Sequence, residues 1–213
     1  MNNNFQKEKF FDLSLFEYKD IFNEVNLVWE VLPKIKEYIE MQFKSNILIA
    51  NYKDKKNVFI GEGTIIQEGA VVETPAIIGK YCIIGHGSFI RRNCIIGNNV
   101  QIGHAVEVKG SIFLNDSKAA HLNYVGDSVI GNSVNISGGA ILANYRLDRK
   151  TVMVIDEMNK IETGLEKFSS IVGDGSNIGV NAVLNPGTIL GKNTIVYPLL
   201  SVKGVHKDNE VIK

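Results

Sequence analysis

From Ile60 onward an apolar residue returns at every sixth position: Ile60, Ile66, Val72, Ile78, Ile84, Ile90, Ile96, Ile102, Val108, Leu114 and Ala120. Four positions after most of these stands a small or β-branched residue (Thr64, Ala70, Ala76, Cys82, Ser88, Cys94, Val100, Val106), and Gly, Asn, Asp or Lys crowd the intervals. A six-residue period fits neither a helix face nor a simple alternating strand. It fits short strands separated by turns in a β-helix, with the aliphatic residue inward and the small one at a corner. The predicted main body is therefore all-β.

The phase breaks twice. Between Ala120 and Ile130 there are ten residues where twelve would keep register; the period then resumes at Ile130, Ile136 and Leu142. It breaks again over 146–170 and returns at Val172, Ile178, Leu184, Leu190, Val196 and Val202. The second interruption predicts an arm or hairpin leaving the coil, and breaks in a strict repeat are where function is usually placed. Residues 1–55 are different material. Leu27, Val28, Val31, Leu32, Ile35, Tyr38 and Ile39 have helical spacing, which predicts two helices with Pro33 near the start of the second. Their expected role is a cap over the open end of the β-helix formed by 56–213, because an uncapped coil exposes unpaired backbone.

Length and charge narrow the picture further. The 213 residues suit one main body with appendages, and 23 basic side chains balance 23 acidic ones, so bulk charge points to neither nucleic acid nor an anionic membrane. The first ten residues carry charges where a secretory signal needs an apolar core, and no apolar run approaches a membrane span of about eighteen residues, so the expected location is the cytoplasm. Cys82 and Cys94 share the small-residue slot and read as buried thiols, not a bridge.

If three hexads make one coil, residues eighteen apart stack at strand spacing, about 4.8 Å. Arg91 and Lys109 are so related, each directly after a core aliphatic. Two stacked cations repel, so the pair either faces an anion such as a phosphate or is simply two solvated surface charges. His121 lies twelve residues beyond Lys109, at the first break, and is either a general base or a structural histidine. His86 and His104 would stack at a turn, but the closely spaced third histidine that a zinc site would need is missing, so no metal is expected. No Walker-type phosphate loop or dinucleotide fingerprint is present.

The segments Glu107-Val-Lys-Gly-Ser111, Lys118-Ala-Ala-His-Leu-Asn-Tyr-Val-Gly-Asp127, Ile130-Gly-Asn-Ser-Val-Asn-Ile136 and Ala143-Asn-Tyr145 are similar to the acetyltransferase domain of the bifunctional glucosamine-1-phosphate acetyltransferase and N-acetylglucosamine-1-phosphate uridylyltransferase, including its archaeal-type relatives. The resemblance covers about 58–202. It implies a left-handed β-helix, a homotrimer with active sites between subunits, and acetyl-CoA as cosubstrate. It further implies His121 as general base, with Asn144 placing the amine or stabilising the oxyanion. Arg91 and Lys109 would hold phosphate, Tyr124, Asn135 and Tyr145 would surround an amino sugar, and Lys150, with Arg149 and Lys167 in the arm, would add phosphate contacts. Gly179, Val180 and Pro198 would line the CoA cleft, Val180 standing where bacterial members have a serine. The nucleotidyltransferase domain that usually precedes this repeat has no counterpart in 1–55, and the expectation is that another protein would perform the uridylyl step. The function so implied is N-acetyl transfer to a hexosamine 1-phosphate, with glucosamine and galactosamine 1-phosphate both open. Two rivals are a non-catalytic trimer that binds a sugar phosphate or nucleotide sugar and regulates a partner through its N-terminal helices, and an acyltransferase with another amine acceptor.

Overall fold

The computed structural model describes residues 3–157 and 159–213. From Val58 onward the chain winds as a parallel β-helix with three faces. The first face stacks Val58–Ile60, Ala76–Ile78, Cys94–Ile96, Ile112–Phe113, Val129–Ile130, Ser170–Val172, Thr188–Leu190 and Val205–His206. The second runs from Ile65–Ile66 to Val211–Ile212 and includes Lys118–His121; the third runs from Val71–Val72 to Ser201–Val202 and includes Glu107–Lys109 and Tyr124–Gly126. Inside, the hexad aliphatics form columns. On the first face Ile78 lies opposite Ile96, which is followed by Phe113, Ile130, Val172 and Leu190, all with no exposed surface. Each such burial contributes about 1.5–3 kcal/mol.

The register corrects the periodic reading at one place. The core residue after Val108 is Phe113, not Leu114, and the next is Ala119, not Ala120. The two-residue deficit is split into single deletions, between Val108 and Phe113 and between Val125 and Ile130, each at the passage from third face to first. Leu114 packs outward instead, and the backbone at His121, at the expected break, is regular strand.

The N-terminal segment is also placed differently. The outward position of every first-face strand is apolar, giving an outer column of Phe59, Ile77, Ile95, Ile112, Val129, Ile171, Ile189 and Val205. Phe5, Phe10, Phe16, Phe22, Trp29, Ile35 and Ile39 bury against this face as a second core, so the segment lies along the side of the coil and does not cap its open end. At that end Tyr52 packs on the inner column, Asn51 pairs with both backbone groups of Ile60, and Lys55 donates to the Val72 carbonyl. The expected second helix begins earlier than Pro33: Val28–Lys34 is a 3-10 turn that contains it and continues into the α-helix Ile35–Lys44. The Glu30 carboxylate secures the start by accepting the N–H groups of Asn26 and Leu27, both at 3.0 Å.

A ladder of side-chain amides fastens this segment to the corner between first and second faces. Asn98, Asn115, Asn132 and Asp174 each accept a backbone N–H from the preceding coil, at 2.7, 2.9, 3.2 and 2.7 Å. Asn115 and Asn132 then donate to the carbonyls of Leu15 and Asp12. The ladder thus closes the coils and satisfies the irregular N-terminal backbone.

The expected arm is present. The chain leaves the coil after Leu142, forms the antiparallel hairpin Met153–Asp156 with Asn159–Glu162, and re-enters at Ser170. It folds back, with Val152, Val154 and Phe168 buried in the outer core and Phe168 beside Trp29 at 6.1 Å. Both cysteines are free and buried, and burial pushes the Cys94 thiol up to about 12, so it stays protonated. Among the described residues no helix is long and apolar enough to cross a membrane. Trp29→Ala should remove about 3–5 kcal/mol of stability, measured by chemical denaturation; a loss below about 1 kcal/mol would contradict the placing of the N-terminal segment in a second core.

Candidate active site

Coil stacking brings Arg91 and Lys109 to one corner, between the third and first faces, where the residues before them, Ile90 and Val108, are register partners. In the next coil the slot above Lys109 is Gly126. A Cβ there would lie 2.6 Å from Tyr124 Oη and 2.7 Å from Asn144 Nδ2, so the missing side chain is what lets those two groups converge. Beside them, a cavity of about 440 Å³ is lined by Arg91, Lys109, Tyr124, Asn144, Tyr145, Glu166 and Lys167. Five of the positions expected from sequence therefore meet in one place, together with Lys167 of the arm. Lys167 reaches it because Tyr145 and Lys167 form an antiparallel bridge that closes the base of the arm, with the ammonium 6.0 Å from the Tyr145 ring centre.

The cations are not bare. Arg91 donates to Glu107 at 2.9 Å, and Lys109 to Asp127 at 2.8 and 3.2 Å. The Glu107 carboxylate holds the Arg91 guanidinium above its ordinary range. Asp127 also accepts from Asn144 Nδ2. A carboxylate only accepts, which fixes the amide with its nitrogen toward Asp127 and leaves its oxygen as the free acceptor. Of the two roles open to Asn144, this geometry favours placing an amine over stabilising an oxyanion. Burial, reinforced by the charges of Asp127 and Glu107, raises the Tyr124 phenol, so its hydroxyl keeps its proton and can donate.

Glu107, Asp127 and Glu166 had not been assigned roles from sequence. Asp127 is eighteen residues after Lys109, so the count that stacks Arg91 on Lys109 also points to it; the strand partner of Lys109 is Gly126, and Asp127 reaches the ammonium from the next position. With three cations and three carboxylates around neutral donors, the cavity suits a ligand carrying both a phosphate and an ammonium group.

Other expected residues lie elsewhere. His121 ends its strand at the corner between second and third faces, exposed, opposite His104 in register. With Ala119 as the core residue, its slot is that of His86 and His104, not that of Lys109. The rings of His86 and His104 stack at 5.7 Å and 6°. His121 does not line the cavity, although only Leu122 and Asn123 separate it from Tyr124, which does. Asn135 sits on the second face beside Ser137, also outside the cavity. Lys150 and Arg149 are exposed and outside it too. Arg146 pairs with Asp148, whose backbone neighbour Lys150 donates to the same carboxylate at 3.3 Å. Gly179, Val180 and Pro198 occupy the His121 corner, one or two positions after the core residues Ile178 and Val196, and the coils approach so closely that a Cβ on Gly179 would lie 2.5 Å from the Pro198 nitrogen. Among the described residues no three or more His, Cys, Asp or Glu are grouped to hold a metal.

A parallel β-helix of hexapeptide repeats with a charged cavity at one corner defines the class. Residues 74–160 match the family described as the GMPPB C-terminal domain. The chain is 45% identical over 187 residues to the bifunctional protein GlmU of Methanococcus maripaludis (strain C7), covering 84% of this chain and 44% of that protein. It is 38% identical over 91 residues to a bifunctional sugar-1-phosphate nucleotidylyltransferase/acetyltransferase of Sulfurisphaera tokodaii, covering 43% and 23%. A solved point mutant of AntD, an N-acyltransferase from Bacillus cereus, is 15% identical with a TM-score of 0.45, covering 72% of this chain and 76% of that one. The chain is thus a hexapeptide-repeat protein similar to these sugar-1-phosphate nucleotidylyltransferase/acetyltransferases, and it spans less than half the length of those it matches.

The Lys109–Asp127 pair is about four-fifths buried on both sides. Asp127→Ala should therefore lower stability by about 1–3 kcal/mol, because Lys109 and Asn144 lose their acceptor. A denaturation midpoint equal to wild type would show the pair to be screened by solvent.

Proposed function

We propose that the protein is an acyltransferase that moves acetyl from acetyl-CoA to the amine of a hexosamine 1-phosphate, such as glucosamine 1-phosphate or galactosamine 1-phosphate, in sugar-nucleotide biosynthesis. The observation that carries this reading is the convergence of Arg91, Lys109, Tyr124, Asn144 and Tyr145 on one cavity. The similarity to bifunctional acetyltransferases supports the reaction class.

In this reading Arg91 and Lys109 exchange part of their pairing with Glu107 and Asp127 for the sugar phosphate. Asn144 Oδ1 accepts an N–H of the amine and points its lone pair at the thioester. His121 of a second copy, brought to the cavity in a homotrimer, takes the proton that the ammonium must lose before or during attack on the carbonyl. The tetrahedral intermediate collapses, the C–S bond breaks, and the CoA thiolate leaves to be protonated, so no acyl-enzyme is needed. Gly179, Val180 and Pro198 offer the surface on the His121 corner along which the cosubstrate lies; Asn135 and Lys150, outside this chain's cavity, add sugar and phosphate contacts only from a second copy.

The same corner exposes Leu122 (62%), Val180 (48%), Tyr197 (44%) and Leu199 (76%). Such an apolar edge supports a homotrimer that covers it and brings a second copy to the site. The rival regulatory reading needs an exposed apolar face on the N-terminal helices, and Trp29, Val31, Ile35 and Ile39 of that region are instead fully buried. His121→Ala should lower kcat for acetyl transfer by roughly 10²–10⁴. Lys109→Ala should raise KM for the sugar phosphate with kcat far less affected, by roughly tenfold or more. A folded His121→Ala chain with wild-type kcat would remove the proposed base.

A further inference from the structure

A second concavity, of about 790 Å³, adjoins the phosphate cavity and shares Tyr145 with it. It lies between the arm and the last coils of the third face. The arm wall is the outer side of the strand Met153–Asp156, whose Val152 and Val154 neighbours are buried in the outer core while Met153 and Ile155 turn into the groove. This wall is fixed in place. Gly187 has φ +83°, and a Cβ on it would lie 2.3 Å from the Met153 carbonyl oxygen, so arm and coil are in direct backbone contact.

The coil wall is polar. Asn185 spends both amide hydrogens on Ser201 Oγ and the Val202 carbonyl, at 2.9 and 2.8 Å, which leaves its oxygen as an open acceptor beside the Ser201 hydroxyl. Lys203 stands one coil beyond Asn185, and among the described residues its ammonium has no carboxylate partner. An aromatic ring and two aliphatic side chains face a donor–acceptor pair and a free cation. Apolar surface with a few placed polar groups is the usual make-up of a small-molecule site.

We propose that this groove binds a nucleoside phosphate: the base lies against Tyr145, Met153 and Ile155, its polar edge or the ribose meets Asn185 and Ser201, and the phosphate meets Lys203. The nucleotide half of a sugar nucleotide brings that chemistry, its sugar end reaching the adjoining cavity past Tyr145, whereas the acyl donor is placed on the His121 corner. The proposal goes beyond the acetyl-transfer reading, and its readout is binding, so each can fail without the other.

The test is calorimetric titration of the full chain with UDP and, separately, with adenosine 3′,5′-diphosphate, repeated with Lys203→Ala and with Ile155→Asp. Inorganic phosphate binding and a circular dichroism spectrum serve as controls for the neighbouring cavity and the fold. Binding of UDP that weakens roughly tenfold or more in Lys203→Ala, with phosphate binding unchanged, supports the site; binding of adenosine 3′,5′-diphosphate without UDP assigns the groove to the acyl donor and overturns the proposal. The Ile155→Asp chain should bind UDP more weakly, since a carboxylate would then face the base and phosphate. If UDP does not bind, or if both folded variants bind it as wild type does, the proposal is overturned.

Discussion

Each coil must close so that its strands lie directly above those of the coil before, hydrogen-bonded in parallel at about 4.8 Å. That one constraint places everything else. It lines up aliphatic side chains into internal columns, and it makes residues seventeen or eighteen apart in sequence into neighbours in space. The cavity exists because Arg91, Lys109, Gly126 and Asn144 come from successive turns of one corner. Its glycine is a gap in a column, occupied by Tyr124 and Asn144. A shift of one coil by one residue would turn the outer column of the first face inward and destroy both cores.

Much of this was legible in the sequence. The six-residue period revealed the β-helix, the arm and the stacking of Arg91 on Lys109, because each follows from counting along a repeat. The two single-residue deletions were misplaced because Leu114 and Ala120 also look like core residues. Only pairing shows that Phe113 and Ala119 take those places. The outer apolar column carried a signal that the hexad count ignored: at every first-face strand the residue before the core aliphatic is apolar, whereas on the second face only Ile65, Ile83, Ile195 and Val211 near the two ends are, with Gln101, Lys118, Asn135 and Asn177 between them. A face that is apolar on both sides must be covered, and the aromatic-rich N-terminal segment was the available cover.

The site was legible unevenly for a related reason. Residues whose role is set by position in the repeat, such as Lys109 and Asn144, could be found by spacing and resemblance. Of their carboxylate partners, Asp127 is eighteen residues from Lys109 and was within reach of the same count, whereas Glu107 pairs with Arg91 across sixteen residues, which stacking does not give. His121 and the residues expected around CoA lie on the other corner of the third face, apart from the cavity by the width of a strand. Arg91 and Lys109 are each held by a carboxylate, so neither is buried unpaired.

The most direct test of the account is release of free thiol from acetyl-CoA by the purified protein, followed with glucosamine 1-phosphate, with galactosamine 1-phosphate and with no acceptor. The account predicts release that depends on one of the two amino sugar phosphates and yields its N-acetylated product in equal amount. No release with either sugar from a folded protein, or equal release without acceptor, would contradict it.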